Sequence, residues 1–395
     1  MKKTYHFFAL AALGDGLSGG DRIFIELARR WARWGIKIKI YVWQEGYEIT
    51  QAQNLRHKNI EFVIVNMGIW PKFGFLANYL ARIVAGIKLG LTLRVKKDDY
   101  LYSASDFLMD MLPAYILKLR FDTPTWFAGW YQTAPNPLKG YTEGKREHSY
   151  KFTALFYWLS QKLSKPFIVA QANFVLVNNE NEKKQFMTKS REKAVIVVHG
   201  AVSVKEIRNW LSKNKLKKKK YDAVFQGRLH PQKGVVEMIE IWGMVVRNSP
   251  AAKLAIIGDG ELMGKVKAKI SKLKLNKNVT LFGYVFDGAK KYSIFFKSKL
   301  ALHPAFFDSG GMAAAEAMAF GIPAIGFNLD SYKYYYPKGM VKVEKGDLVA
   351  FSEEILHLLK NNKKRAKLGQ EAKLMIGKTW SWEARAREVL KAIGS

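Results

Sequence analysis

The sequence contains no cysteine and comparatively few acidic residues. Without cysteine, disulfide bonds and thiolate metal sites are excluded, and the chain suits a reducing compartment such as the cytoplasm. Only 33 Asp and Glu residues stand against 65 Lys and Arg residues, which gives a formal net charge of +32. This excess attracts polyanions such as nucleic acid, an anionic membrane face or phosphorylated ligands. Charge alone does not choose among these three.

Long uninterrupted apolar runs are also missing. None reaches the roughly 18 residues that a membrane-spanning helix needs, and the nearest, "IVAGIKLGLTL", is interrupted by Lys88. The N-terminal "MKKTYHFFALAALGDG" imitates a signal peptide, but its apolar part, residues 7–13, is short and is followed directly by a Gly-rich turn and a helical pattern. We therefore predict a buried first strand there, and a chain that does not cross a membrane.

What the sequence does contain is a repeated alternation of strand and helix patterns. The length of 395 residues favours two domains, and the apolar content of 49% supplies a sizeable core. Continuous apolar runs such as "LAIIG" and "AVIVV" are typical of strands covered on both faces, as in parallel α/β sheets. Strands are predicted at residues 5–12, 36–43, 60–65, 100–103, 125–130, 174–177 and 194–198, then at 222–226, 253–257, 279–282, 300–303 and 323–327.

A basic segment separates the two blocks of alternating patterns. "LSKNKLKKKK", residues 211–220, is too charged to be core and is predicted to be a solvated loop or linker. The sequence therefore predicts two doubly wound domains, residues 1–204 and residues 205–378. In doubly wound sheets, ligands bind at the carboxyl ends of the strands, so the loops there are the places to look for function.

Two of these loops combine glycine with a helix start or with basic side chains. "LGDGLSGGDR" offers Ser18 as a helix N-cap, and the small residues Gly19 and Gly20 let an anion approach the first helical N–H groups, although a purely structural glycine turn is the alternative. "FQGRLHPQKG" places Arg228 and Lys233 in one loop. A guanidinium and an ammonium form a suitable pair for a diphosphate, but two basic residues in a very basic protein carry little weight alone.

Two further loops after predicted strands also contain glycine. "IIGDGE" contains Gly258, where a tight turn would need glycine in any case. "HPAFFDSGGMAAAEAMAFGIPAIGF" holds two acids, Asp308 and Glu316, on either side of glycines and alanines. We predict Asp308 in the loop before a helix over residues 312–320 and Glu316 inside it, so that both face one crevice. The alternative is that Asp308 merely caps the helix and Glu316 is solvated.

These segments, together with "VTLFGYV", resemble the retaining nucleotide-sugar glycosyltransferases of family 4, often called group 1. The resemblance covers nearly the whole chain and is strongest over residues 222–327. It implies the GT-B fold, in which two Rossmann-like domains face an inter-domain cleft. It also implies that the terminal segment, residues 379–395, forms a helix that packs back on the N-terminal domain.

The resemblance implies roles for individual residues. Arg228 and Lys233 would hold the donor diphosphate, Glu316 the ribose hydroxyls, and Asp308 hydroxyls of the transferred sugar. Asp308, Arg228 and Lys233 are thus the predicted catalytic residues. Further donor contacts are implied at Gly19, Gly20, Gly258, Gly311 and Met312.

The chain departs from the family pattern in three places. The first acid is usually Glu rather than Asp308, and the usual aromatic residue after it is Gly310 here. Many relatives place a His near the reacting sugar, where "WYQTAPNP" offers Tyr131 and Gln132 as acceptor-side candidates. The sequence also lacks the Asp-x-Asp pattern of metal-dependent sugar transferases. We therefore expect no metal and no cofactor beyond a UDP- or GDP-sugar donor.

The predicted function is metal-independent transfer of a hexosyl unit, with retention, to a hydroxyl of a lipid-linked acceptor or a growing glycan. "WPKFGFLANYLARIVAGIKLGLTLRVKK" and "YKFTALFYWLSQKLSKPF" mix aromatics, aliphatics and lysines as interfacial helices do, although ordinary sheet-covering helices are the alternative. With the positive charge, they predict a cytoplasmic protein that docks peripherally on an anionic membrane.

Two other functions compete with this prediction. One is an epimerase-like enzyme that modifies nucleotide sugars on the same fold. The other is a basic nucleic-acid-binding protein. The second is disfavoured because no RNP, zinc-finger or KH signature occurs and the lysines are spread over both blocks. No specific nucleic-acid partner is therefore expected.

Overall fold

A computed structural model of the chain describes residues 3–12, 18–140, 151–187, 194–215, 218–308 and 311–394. The chain divides into two compact units. The first comprises Met1–Ala134, Leu155–His199 and Trp382–Ser395, and the second comprises Pro135–Ala154 and Gly200–Ser381. These bounds differ from the predicted ones: the units divide after residue 199 rather than 204, the second ends at 381 rather than 378, and the described part of residues 135–154 groups with the second unit.

The first unit is built on a parallel sheet. Within the described ranges it has seven strands in the order β3-β2-β1-β4-β5-β6-β7. The strands are β1 Thr4–Phe8, β2 Lys37–Val42, β3 Ile60–Ile64, β4 Tyr100–Ser103, β5 Thr125–Trp130, β6 Phe174–Val177 and β7 Val195–Val197. The helices are α1 Gly19–Arg33, α2 Gln44–Ala52, α3 Phe75–Thr92, α4 Leu108–Phe121, α5 Lys151–Gln171 and α6 Glu180–Lys184. Because β1 is a buried central strand, the strand interpretation of the N-terminal segment is confirmed.

The second unit repeats this plan with six described strands in the order β10-β9-β8-β11-β12-β13. The strands are β8 Tyr221–Gln226, β9 Leu254–Ile257, β10 Val279–Leu281, β11 Ser298–His303, β12 Ala324–Phe327 and β13 Met340–Val343. The helices are α7 Val204–Lys213, α8 Val235–Asn248, α9 Met263–Lys272, α10 Ala289–Phe296, α11 Met312–Met318, α12 Asp330–Tyr335, α13 Leu348–Lys360 and α14 Asn362–Thr379. The strand order reverses between β8 and β11, which is where such sheets open a crevice for ligands.

The last helix, α15 (Trp382–Ala392), belongs to the first unit. The indole N–H of Trp31 on α1 donates to the carbonyl oxygen of Ala386 over 3.0 Å, and the Arg30 guanidinium lies 3.0 Å from the Glu383 carboxylate. Both Trp31 and Arg30 are buried. The C-terminal segment is therefore part of the first unit's core, although its helix begins three residues later than the predicted start at residue 379.

The described part of the basic segment at residues 211–220 is largely exposed, as predicted, but it lies within the second unit rather than between the two units. Its first residues are the end of α7, which stops at Lys213. The Lys219 ammonium donates to the carbonyl oxygen of Phe296 over 2.8 Å. Burial, assisted by the charge of Arg365, lowers the pKa of Lys219 to about 8. The described part of the segment thus packs on the second unit, and the division between the units lies before α7.

Helix α3 has one buried side and one exposed side. Within the part of the chain that the structure describes, it alone is long and apolar enough to cross a membrane by length and composition, with a mean hydropathy of 1.2 over 18 residues, of which 28% are buried. The buried Arg82 ties its inner side to the core, since the guanidinium donates to the carbonyl oxygens of Leu10 and Ala11 over 3.1 and 3.3 Å. The outer side is described with the proposed function below.

Candidate active site

Two of the three predicted catalytic residues touch at the carboxyl ends of the strands of the second unit. Lys233 ends a 3₁₀ turn, Pro231–Lys233, in the loop that follows β8, and Asp308 lies in the loop that follows β11. The Lys233 ammonium is 2.8 Å from the Asp308 carboxylate. Arg228 lies exposed in the same loop as Lys233, and among the described residues its guanidinium has no hydrogen-bond or ion-pair partner.

Asp308 is held by three groups. Its Oδ2 accepts from Lys233 and lies 2.8 Å from Nε2 of His303, while its Oδ1 accepts from the backbone N–H of Gly311 over 3.1 Å. Burial opposes ionisation of this carboxyl, but the charge of Lys233 and the hydrogen bond from His303 outweigh it and hold the pKa of Asp308 well below its usual range. Asp308 is therefore a carboxylate throughout the neutral pH range. Ser309 and Gly310 lie outside the described residues.

Gly311 is required by the backbone and by its neighbours. It is the N-cap of α11 and has a φ of 55°, a left-handed conformation that favours glycine. A Cβ at this position would lie 3.0 Å from the ring of Tyr336. The Tyr336 hydroxyl in turn donates to the Gly311 carbonyl oxygen, and Tyr336 stacks on Trp380 with 5.3 Å between ring centroids. An aromatic layer thus supports the start of the helix that carries Glu316.

Glu316 lies inside α11 and faces two donors rather than solvent. Its Oε2 accepts from the side-chain amide of Gln226 over 2.8 Å and lies 2.5 Å from the ammonium of Lys291. Lys291 also binds Asp287 over 2.8 Å. The alternative of a solvated Glu316 is therefore wrong, because only 15% of its side chain is exposed and the carboxylate is paired.

Gly258 and Met312 contribute to packing in this region. Gly258 follows β9 with a φ of 145°, and a Cβ there would lie 1.9 Å from the carbonyl oxygen of Gly227. The loops after β8 and β9 can therefore approach only because residue 258 is glycine. Met312 is half-buried, and its side chain fills the space that a Cβ at Gly200 would need.

In the first unit, Gly19 and Gly20 open α1 as predicted. Ser18 is the N-cap, and its hydroxyl accepts from the backbone N–H of Asp21 over 3.1 Å while the Asp21 carboxylate accepts from the N–H of Ser18 over 3.0 Å. This reciprocal capping box fixes the helix start. A Cβ at Gly20 would lie 3.3 Å from the ring of Tyr131, so these two candidate residues are neighbours. Residues 13–17 of the same glycine-rich segment lie outside the described residues.

The two acceptor-side candidates, Tyr131 and Gln132, follow β5 and differ in availability. The hydroxyl of Tyr131 is buried and lies 2.5 Å from the hydroxyl of Tyr102, and burial raises its pKa. The Gln132 carbonyl oxygen accepts from Tyr157 and Gln161 over 2.8 and 2.7 Å. The side-chain amide of Gln132 has no partner among the described residues, so it is the better placed of the two to meet a ligand.

Sequence reasoning missed two residues of the second unit's site. His303 is the last residue of β11, so its position at a strand end, in "LALHP", was a signal that could have identified it. Lys291 carries no such signal, because it is one of 65 basic residues and only its burial distinguishes it.

Comparison with known proteins shows which proteins the second unit resembles. Residues 206–375 match the family model described as Glycosyl transferases group 1. The chain is 28% identical over 166 residues to the poly(glycerol-phosphate) alpha-glucosyltransferase of Bacillus subtilis (strain 168), covering 40% of this chain and 24% of that protein. It is 26% identical over 164 residues to the poly(ribitol-phosphate) alpha-N-acetylglucosaminyltransferase of Staphylococcus aureus (strain COL), covering 40% and 32%. The chain thus spans less than a third of the length of these two relatives.

Other matches extend over nearly the whole chain. CapM, a capsular polysaccharide biosynthesis glycosyltransferase of Staphylococcus aureus, is 23% identical over 360 residues, covering 84% of this chain and 90% of that protein. A structure of a TarM mutant from S. aureus with Fondaparinux, alpha-GlcNAc-glycerol and UDP has a TM-score of 0.72 at 13% identity over 100% of both chains. Anabaena HepE with UDP and glucose gives the same values. The second unit therefore resembles group 1 glycosyltransferases over residues 206–375, and the predicted α/β fold with two Rossmann-like domains of GT-B type is confirmed.

Proposed function

We propose that this protein is a metal-independent, retaining glycosyltransferase of family 4 that moves a hexosyl unit from a UDP- or GDP-sugar to an acceptor hydroxyl. The observation that carries the proposal is the ion pair of Lys233 with Asp308, together with the paired carboxylate of Glu316 on the helix that follows, in the unit that resembles group 1 glycosyltransferases. This chemistry accounts for a basic loop beside two fixed carboxylates better than sugar epimerisation or nucleic-acid binding does.

The donor diphosphate is the part of the substrate that needs positive charge. As the glycosidic bond breaks, negative charge builds on the departing diphosphate and positive charge on the anomeric carbon, so stabilising the leaving group is the main electrostatic task. Lys233 and the exposed Arg228 lie in one loop and supply two cations for it. The backbone N–H of Met312 would supply a hydrogen bond at the start of α11, as would that of Gly311 once it exchanges Asp308 for the ligand.

The two acids position the donor rather than transfer protons. Asp308 stays ionised, so its carboxylate accepts hydrogen bonds from hydroxyls of the transferred sugar. Glu316 does the same for the ribose hydroxyls. With retention, the acceptor hydroxyl attacks from the side of the leaving group. Its proton passes to a phosphate oxygen, so that no side-chain base is required.

The acceptor is proposed to be a growing glycan or a lipid-linked molecule. Support comes from the relatives, whose names refer to poly(glycerol-phosphate), poly(ribitol-phosphate) and capsular polysaccharide. Of the two acceptor-side candidates, Tyr131 and Gln132, which follow β5, Gln132 is the proposed contact because its side-chain amide has no partner among the described residues.

A direct test measures nucleotide binding and the product. Thermal unfolding of the purified chain should shift upward with UDP or GDP and their sugars, because a ligand that binds the folded state stabilises it by mass action. Turnover with the stabilising donor should persist in EDTA and give a product with the donor's anomeric configuration, measured by NMR. Inversion, loss of turnover in EDTA, or sugar modification without an acceptor would each contradict the corresponding part of the proposal.

Attachment to an anionic membrane is proposed through one face of the first unit, the α3–α5 face. The two helices meet at Tyr79, whose ring lies 5.4 Å from that of Phe156 and whose hydroxyl lies 3.3 Å from that of Ser160. Apolar side chains on their outer sides are exposed at helical spacing: Leu76, Leu80 and Val84 on α3, and Leu155, Leu159 and Leu163 on α5.

The charges on this face favour anionic lipid. Neither α3 nor α5 contains an acidic residue, whereas Lys88 and Lys162 are exposed on them. An apolar stripe flanked by lysines is the composition of helices that lie in the membrane interface, and each basic residue near an anionic surface adds up to about 1 kcal/mol.

Co-sedimentation with vesicles tests the α3–α5 face. The chain should bind vesicles of phosphatidylcholine with phosphatidylglycerol at physiological salt, and a Leu80→Asp, Leu159→Asp double variant should lose at least tenfold in affinity. Leu374→Asp is the control, because Leu374 lies on α14 of the second unit and is 65% exposed, against 53% for Leu80 and 47% for Leu159. Equal binding by the double variant and the control would contradict this docking surface, and no binding by the unchanged chain would contradict membrane attachment itself.

A further inference from the structure

Lys291 is a buried cation in a protein whose lysines are mostly exposed. It is only 2% exposed, whereas its neighbour in sequence, Lys290, is exposed on the same helix, α10. Its ammonium lies 2.8 Å from the Asp287 carboxylate and 2.5 Å from that of Glu316. Lys291 therefore connects the loop after β10 with the helix that carries the predicted ribose-binding acid.

Burial of a lysine needs compensation. Taking an ammonium group out of water costs several kcal/mol unless carboxylates and hydrogen bonds replace the lost hydration. Here two carboxylates do so, and they come from different elements, α11 and the loop before α10. A buried ion pair such as that of Lys291 with its carboxylates contributes little to stability compared with apolar packing of the same volume. Its more specific effect is to orient the two acids.

The orientation of Glu316 is fixed from two directions. The Lys291 ammonium and the Gln226 amide both contact Oε2 of its carboxylate. Gln226 is at the end of β8, so strand, helix α10 and helix α11 all converge on this one oxygen. With one oxygen held, the plane of the carboxylate and the direction of the other oxygen are set before any ligand arrives.

We propose that Lys291 is a positioning residue for the nucleotide's ribose, acting through Glu316. The inference rests on the proposed function, in which Glu316 accepts hydrogen bonds from the ribose hydroxyls. Without Lys291, the Glu316 carboxylate keeps its hydrogen bond from Gln226 but loses the ammonium that helps to fix its orientation. Its side chain then samples other rotamers, so its hydrogen bonds to the ribose weaken. Binding of the diphosphate by Lys233 and Arg228 is left in place.

The preference for ribose over 2′-deoxyribose measures this effect directly. Calorimetry with UDP, GDP and their 2′-deoxy forms should give at least a tenfold preference for the ribose form in the unchanged chain. Lys291→Met should reduce that preference to threefold or less, and Lys290→Met should leave it unchanged. Adding Lys291→Met to Glu316→Gln should cause no further loss, because both changes act on the same contact.

The double variant, Lys291→Met with Glu316→Gln, is also a control for misfolding. It removes both charges of the buried ion pair, so neither is left buried without its partner. A Lys291→Met chain that is less stable but still prefers ribose tenfold would overturn the inference and reduce Lys291 to a structural role. A further loss in the double variant beyond that of Glu316→Gln would overturn it as well. If the unchanged chain binds neither UDP nor GDP, the proposed donor is wrong and the inference falls with it, so the two failures are distinguishable.

Discussion

The pKa values of buried carboxyl groups near the carboxyl ends of the strands are shifted in opposite directions in the two units. In the second unit, burial alone would raise the pKa of Asp308, but Lys233 and His303 hold it well below the usual range. In the first unit, burial raises the pKa of Asp106 and of Asp110 to about 7. All three residues follow the central strands of their sheets, so the difference lies in their partners rather than in their place in the fold.

The partners in the first unit are neutral. Asp106 accepts from the Gln161 amide over 3.0 Å, and Asp110 accepts from the Ser105 hydroxyl over 2.6 Å and from the N–H of Ala11 over 2.9 Å. Amides and hydroxyls satisfy hydrogen bonds but do not compensate a charge. The comparison teaches that the charge of the partner decides the direction of the shift. Asp99 of the first unit agrees, since it lies 3.3 Å from His6 and its pKa is lowered although it is buried.

The largest effect is expected from Asp308→Asn. The change removes the carboxylate proposed to hold the transferred sugar, so turnover should fall at least a thousandfold. The affinity for free UDP or GDP should be kept or increased, because Lys233 no longer shares its charge with residue 308. Steady-state kinetics and calorimetry on the same preparation measure both quantities. A parallel loss of turnover and of nucleotide affinity would refute the assigned role.

The next largest effect is expected from Lys233→Ala. A hydrogen bond to a charged group contributes about 1.5–3 kcal/mol, so the affinity for UDP or GDP should drop by about ten- to a hundredfold. Lys267→Ala, at an exposed position of α9, is the control. Titration calorimetry gives the two affinities, and similar values for both variants would mean that Lys233 does not contact the diphosphate.

Asp106→Asn tests the first unit through the pH dependence of stability. The folded pKa is about 7, whereas an unfolded Asp titrates near about 4. As pH rises between these values, the unfolded chain releases the proton first, so Asp106 destabilises the fold progressively by up to roughly 1.4 kcal/mol per pH unit. Asparagine removes this penalty.

The difference in thermal midpoint between Asp106→Asn and the unchanged chain should therefore be small at pH 4.5 and favour the variant at pH 7.5. Asp98→Asn, at an exposed site, should show no such trend. Scanning fluorimetry at the two pH values provides the measurement. A difference that stays constant between them would contradict the neutral environment of Asp106.

The smallest effect is expected from Tyr131→Phe. Its hydroxyl is buried against Tyr102, so the change should cost about 1 kcal/mol of stability and leave transfer to the acceptor within about threefold. Gln132→Ala should instead raise the KM for the acceptor with little change in stability. Kinetics with a defined acceptor compare the two, and the reverse outcome would make Tyr131 the acceptor contact.

Much of the fold could be predicted because parallel sheets bury their strands on both faces. Every predicted strand is present, and the predicted bounds of 100–103, 125–130 and 174–177 agree with β4, β5 and β6. Strand β13 was missed because "MVKV" places a lysine inside a four-residue run, and only the structure shows that Lys342 is half-buried and donates to the carbonyl oxygen of Tyr336 over 2.7 Å. The lysine-rich segment is largely exposed, as its composition indicated, but composition does not reveal that it belongs to the second unit, where Lys219 donates to a backbone carbonyl oxygen.

For the site, the sequence reveals residue types at strand ends but not which side chains pair. Asp308 and Glu316 could be placed before and inside a helix from the glycines and alanines between them. That Lys233 meets Asp308 depends on the packing of loops 75 residues apart in sequence. The partners Gln226 and Lys291 lie 90 and 25 residues before Glu316 along the chain, so local pattern carries no information about them.

The ion pair between Lys233 and Asp308 has a consequence for selectivity. The lysine offered to an incoming diphosphate is already engaged, so binding exchanges one anionic partner for another instead of filling an empty electropositive hollow. Simple phosphate gains little from such an exchange. Under the proposed function, a ligand that brings both an anion for the lysine and hydroxyl groups for the released carboxylate would gain from both halves, so the ion pair would favour molecules that join phosphate to sugar.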